Sequence, residues 1–97
     1  MAGYALSERA LQDLQQIDRY TRDRWGRVQA EEYRRVLRGA LENLARSPGI
    51  GRPRPDIAPA TRSFRIGNHI AFYRETETGI AVARILHPSM DAERHLR

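Results

Sequence analysis

Histidine and arginine are the residue types in this sequence whose numbers and spacing could do chemistry. The histidines are His69, His87 and His95. Imidazole titrates near neutrality, so each is a conceivable general base. His87 stands out because Arg84, Met90 and Asp91 gather around it near the end of the most apolar run in the chain. Ser89, His87 and Asp91 have the residue types of a nucleophilic triad, but they crowd within five positions. A hydrogen-bonded residue closing a strand is the simpler reading of His87. No serine or threonine sits in a nucleophile elbow. The histidines lie outside zinc-ligand spacing and have neither a cysteine nor an HExxH companion, so no metal and no cofactor are assigned.

The 17 basic residues besides histidine are all arginine, against 12 acids, for a net charge of +5. Biased codon usage in a GC-rich genome would produce such a composition. Guanidinium groups also grip carboxylates and phosphates bidentately, so the partner could be nucleic acid or an acidic protein segment. Charge alone does not choose. An RNase would need cations around a scissile phosphate plus an acid and a base. Arginines are abundant here, yet no acid–base pair stands out.

These residues must be positioned by a small frame. Ninety-seven residues suit one domain spanning 1–97 with a modest core. Cysteine is absent, so no disulfide staples it. A signal peptide is not visible, and no apolar run approaches the roughly 20 residues of a membrane span. A cytoplasmic location is expected.

Tyr4-Ala5-Leu6 reads as a short strand. Ser7 offers an N-cap to a helix from Glu8 to about Arg24, with Leu6 and Leu11 at staple spacing. Ala10, Leu14, Ile17 and Thr21 trace its apolar stripe, with Leu11 beside it, while Asp13 is expected to face water. Trp25 reads as a core plug at the hinge, followed by Gly26 as helix terminator. A second helix runs from about Val28 to Ala45 with Ala30, Tyr33, Leu37, Ala40, Leu41 and Leu44 on its apolar face. Arg27, Arg34, Arg35 and Arg38 form a basic stripe beside it.

Ser47 to Pro59 holds four of the five prolines and reads as an extended, non-helical crossover. Thr61–Ile66 and His69–Glu75 are strands joined by the hairpin dipeptide Gly67-Asn68. Gly79 to Leu86 is the last strand. Its apolar residues fall on both alternation phases, which predicts cover on both faces, and His87-Pro88 ends it. Arg84 interrupts the run and must snorkel or pair with an acid. The order β-α-α-β-β-β predicts an α+β fold, a helical hairpin packed on a mostly antiparallel sheet.

Two ordered motifs, WGxxQAxxY from Trp25 to Tyr33 and RILHxxMD from Arg84 to Asp91, carry a resemblance. Around them stand Tyr4, Leu6-Ser7, Asp13-Leu14, Gly51-Arg52, Arg62, His69, Tyr73-Arg74 and His95-Leu96. The chain resembles the ParE toxins of ParDE toxin–antitoxin modules, within the RelE/ParE superfamily, over nearly its whole length. The resemblance implies the same β-α-α-β-β-β fold. It implies a non-catalytic cytoplasmic toxin that inhibits DNA gyrase and replication and is neutralised by a ParD-like antitoxin.

RelE-type relatives instead cleave mRNA on the ribosome. Their catalytic arginines fall near Ile70 and Pro88 here, which favours the gyrase branch over the endoribonuclease alternative. An acidic amphipathic antitoxin segment would find candidate contacts in Arg34, Arg38 and Arg74. Candidate target contacts are Arg84, His87, Met90 and Asp91, with the tail through Leu96. Binding of bare nucleic acid by the chain alone is not expected.

Overall fold

The computed structural model describes residues 3–96. The elements are β1 (Gly3–Leu6), α1 (Glu8–Trp25), α2 (Arg27–Arg46), β2 (Arg52–Pro53), β3 (Arg62–Ile66), β4 (His69–Thr76), β5 (Gly79–Leu86) and α3 (Ala92–His95). The strands form one sheet in the order β1-β5-β4-β3-β2. β1 runs parallel to β5, and the other three pairings are antiparallel. The α+β expectation therefore holds, with the sheet mixed at its β1 edge.

The helical hairpin lies on one face of this sheet. Ala10 and Ile17 of α1 and Leu37, Leu41, Leu44 and Ala45 of α2 are buried against Ile66, Ala71, Tyr73, Ile80, Val82 and Ile85. Ser7 starts α1 by accepting the Ala10 amide proton at 2.9 Å, and the same hydroxyl donates to the Ala83 carbonyl at 2.7 Å. One side chain thus caps a helix and fastens it to β5. Gly26 separates the helices with φ of +95°, a conformation that L side chains rarely adopt.

In the β3–β4 turn only Gly67 has positive φ, +57°, as in a II′ hairpin with glycine first.

A bulge in β5 explains its pattern. Tyr73 pairs with Val82 and Phe72 with Arg84, so Ala83 is the unpaired extra residue. The alternation shifts by one there. Ile80, Val82 and Ile85 consequently all join the helix-side core. The two apolar phases thus reflect this shift as much as cover on two faces, although Leu86 is buried as well.

Four expectations change. Asp13 is 8 % exposed instead of facing water; positions 10, 13 and 17 share the buried stripe, and Asp13 has partners described below. Trp25 is 67 % exposed and plugs nothing. Residues 22–29 are exposed throughout, so the turn end of the hairpin projects beyond the core. Leu11 likewise lies on the solvent side. The crossover contains one 3₁₀ turn, Pro48–Ile50, because proline is tolerated in the first turn. It also contributes β2, whose pairing to β3 has no periodicity to announce it.

Leu37 sits in the centre of the helix–sheet core, and Leu14 is only half-buried at its margin. Leu37→Ala should cost roughly 2–5 kcal/mol and Leu14→Ala distinctly less. Wild-type-like melting of Leu37→Ala would defeat this core assignment.

Candidate functional site at the end of the last strand

β1 pairs with β5 only as far as Val82. Beyond the bulge that edge of β5 would be bare, and α1 supplies a carboxylate in place of a strand. Asp13 Oδ2 accepts the Ile85 amide at 2.9 Å and Arg84 Nε at 2.8 Å, while Oδ1 accepts Arg84 Nη2 at 2.9 Å. Arg84 Nη1 donates to the His95 carbonyl at 2.9 Å. The expected acid partner of Arg84 is therefore Asp13, and all three guanidinium nitrogens are engaged within the fold. The hydrogen bond to Asp13 raises the Arg84 pKa against the opposing effect of burial.

A second cluster lies beside this one. Tyr33 reaches from α2 to the β3–β4 turn, where its hydroxyl accepts the Asn68 amide at 3.0 Å and lies 2.6 Å from His69 Nδ1. Burial raises the Tyr33 pKa, so the phenol keeps its proton, with the Ile66 carbonyl at 3.3 Å and His69 Nδ1 at 2.6 Å both within its reach. Burial, and then the nearby His87, lower the His69 pKa, with Asp13 opposing weakly. His69 and His87 meet edge to face, with ring centroids 5.9 Å apart.

His87 Nδ1 accepts the Ser89 amide at 3.1 Å and faces the Ser89 hydroxyl at 2.8 Å. Asp91 caps α3, its Oδ1 accepting the Glu93 amide at 3.1 Å. With Nδ1 of His87 turned to Ser89 and Asp91 turned to α3, Ser89, His87 and Asp91 do not form a triad.

These residues end in a groove of about 730 Å³ between α1, the β3–β4 turn and the segment after β5. Tyr20, Trp25 and Met90, exposed by 56, 67 and 45 %, all line it. Three large exposed side chains, of the residue types on which interface cores draw, thus stand beside two histidines. Of the candidate target residues, His87 and Met90 line the groove, Arg84 lies beneath it in the Asp13 pair, and Asp91 is at the start of α3.

The candidate antitoxin residues are not brought together. Arg34 pairs with Asp18 across the hairpin at 2.7 Å, and with Arg38 it borders a shallow hollow of about 290 Å³ between the helices. Arg74 lies on β4, on the sheet face away from the helices.

The family model described as the ParE toxin of type II toxin-antitoxin system, parDE, matches residues 4–92. The chain belongs to the ParE toxin family. It is 40 % identical to Toxin ParE1 of Caulobacter vibrioides over 99 % of both chains. It is 45 % identical to Toxin ParE1 of Mycobacterium tuberculosis over 96 % of both, and 37 % identical to Toxin ParE of Escherichia coli over 94 % of this chain and 89 % of that one. A chain from a structure titled as the chromosomal ParDE TA system from P. aeruginosa shares the fold. Its TM-score is 0.75 at 20 % identity, covering 90 % of this chain and 96 % of that one. The protein is thus the toxin of a ParDE-type toxin–antitoxin system.

The two motifs that carried the ParE resemblance converge on the groove. Trp25, Gln29 and Tyr33 come from the first motif, Ile85, His87 and Met90 from the second, and all six line the groove. Sequence reasoning placed Trp25 in the core and left Tyr20 and Tyr33 out of the candidate site. For Asp13, the i, i+3, i+7 spacing from Ala10 to Ile17 was the available signal.

Two outcomes are expected. Asp13→Ala leaves Arg84 largely buried without its counter-ion and should cost about 3–5 kcal/mol by chemical denaturation, with Asp13→Asn falling between. His69 has a folded-state pKa below its ordinary 6.5. Its contribution to stability is therefore full above that value and lost as pH falls below it. Between pH 7 and 5 the melting temperature should fall more steeply for wild type than for His69→Gln. Parallel curves would remove His69 from the account.

Proposed function

We propose that this toxin inhibits DNA gyrase in the cytoplasm by binding it through the groove at the end of β5, without bond-breaking chemistry of its own. Gyrase as target comes from the ParE resemblance. The observation that carries the surface is the convergence of Tyr20, Trp25 and Met90, three large exposed apolar side chains, on a single groove. Interfaces take most of their energy from such aromatic and methionine anchors. A ParD-like antitoxin neutralises the toxin through an acidic amphipathic segment laid along the helical hairpin. Leu14 and Leu37 border the hollow there beside Arg34 and Arg38.

A supercoiling assay on Trp25→Ala and Met90→Ala tests the gyrase reading. Both side chains are exposed, so both variants should melt like wild type. Inhibition of gyrase and affinity for it should fall together, by tenfold or more. Full inhibition by the folded double variant would place the gyrase contact elsewhere. Site-specific mRNA cuts on ribosomes would move the protein to the RelE-type reading. Arg34→Glu with Arg38→Glu should weaken antitoxin affinity; unchanged affinity would refute electrostatic docking at the hairpin.

A further inference from the structure

The arginines are not spread evenly along the chain. From Arg46 to Arg74 there are six arginines and one acid, Asp56, a net +5; over the rest of the sequence eleven arginines meet eleven acids. Most of that excess sits in the crossover and in β2, β3 and β4, where five arginines meet Asp56 and Glu75, while Arg46 closes α2. Register then sorts these residues by face. Residues paired directly across antiparallel strands point to the same side. Arg52 pairs with Ser63, Ser63 with Phe72, Arg65 with Ile70, and Arg74 follows Phe72 by two positions. Tyr73, on the opposite alternation, is in the helix-side core. Arg52, Arg65 and Arg74 thus all project from the face away from the helices, and all three are exposed.

Arg54 joins them on that side, with its guanidinium 5.6 Å from the Phe72 ring centre, a contact to Ser63 Oγ, and an ion pair to Asp56 at 2.9 Å. Asp56, the acid nearest Arg54, is thus already held.

We infer that this face is a docking surface for the phosphate backbone of duplex DNA. Charge complementarity selects a polyanion, and the rest of the face selects its kind. An acidic peptide would need several exposed apolar anchors, but Phe72 and Leu86 on this side are each only 2 % exposed and Ile70 is half-buried. A single strand would need an aromatic platform for unpaired bases, and the Phe72 ring is buried beneath Arg54. Backbone phosphates of a duplex need neither.

Strand spacing and rise put the Cα atoms of Arg52, Arg65 and Arg74 about 8 to 14 Å apart. The minor and major grooves of duplex DNA are about 6 and 12 Å wide, a span that flexible arginine side chains can bridge. The binding is independent of sequence, since guanidinium–phosphate contacts read no base. It also uses the side of the sheet away from the hairpin, leaving Trp25 and Tyr20 of α1 free for a protein partner.

The test is fluorescence anisotropy of the full chain with a labelled random-sequence 20-base-pair DNA, titrated from 50 to 200 mM salt. Wild type should bind, with affinity falling steeply as salt rises. Arg52→Gln, Arg65→Gln and Arg74→Gln combined should weaken binding at least tenfold at 100 mM salt and lower the salt slope by about three. Arg9→Gln, Arg19→Gln and Arg27→Gln combined remove the same charge from the helices and should change affinity less than threefold. Thermal melts confirm that both triple variants are folded. Absence of binding by wild type would overturn the inference. So would equal losses in the two triple variants, tighter binding to single-stranded DNA of the same length, or effective competition by polyglutamate.

Discussion

The carboxylate of Asp13 does three things that the end of the molecule depends on. It neutralises Arg84 in a largely buried setting, satisfies the Ile85 amide where β1 stops covering β5, and through Arg84 reaches the carbonyl of His95. Removing a charge from water is costly unless the partner is fixed and every remaining polar group is bonded. Here both carboxylate oxygens and all three guanidinium nitrogens are occupied. The bulge at Ala83 belongs to the same solution. It turns Ile85 inward to the core while Arg84 stays at the open edge within reach of α1. The groove above is walled by elements that this one cluster joins.

Local physics was legible in the sequence. Ser7 as cap, the two apolar helix stripes, the Gly67-Asn68 turn and the termination at His87-Pro88 each follow from residues within a few positions of one another. What escaped depends on distant partners. Asp13 looks like a surface acid until Arg84, 71 positions away, is placed against it. Trp25 looks like a core residue until the turn end of the hairpin is seen to project past the sheet. A bulge leaves no mark on a strand that is apolar on both phases. The candidate site was half visible. His87 and Met90 were named from their own motif, but their neighbours Tyr20, Trp25 and Tyr33 arrive from the helices, and only the fold joins the two groups.

Two surfaces of opposite character result. The groove offers aromatic rings and a thioether, with Arg24 and the paired Asp13 also in its lining, so its contacts rest largely on apolar burial and tolerate salt. The far side of the sheet offers guanidinium groups around a sealed aromatic ring, so its contacts are coulombic and fade with salt. The sheet that separates them keeps the two kinds of contact from competing. A partner on one side need not displace a partner on the other.

The parallel pairing of β1 with β5 matches Gly3 to Gly79 and Leu6 to Val82. Everything between those strands is synthesised before they can meet. A chain still lacking its last twenty residues has no partner for β1, no amide or guanidinium for Asp13, and no second wall for the groove. Helices of the hairpin can form early from local contacts, whereas the sheet waits for a closure spanning most of the chain. The Asp13 cluster and the groove beside it therefore cannot form until β5 has joined the chain.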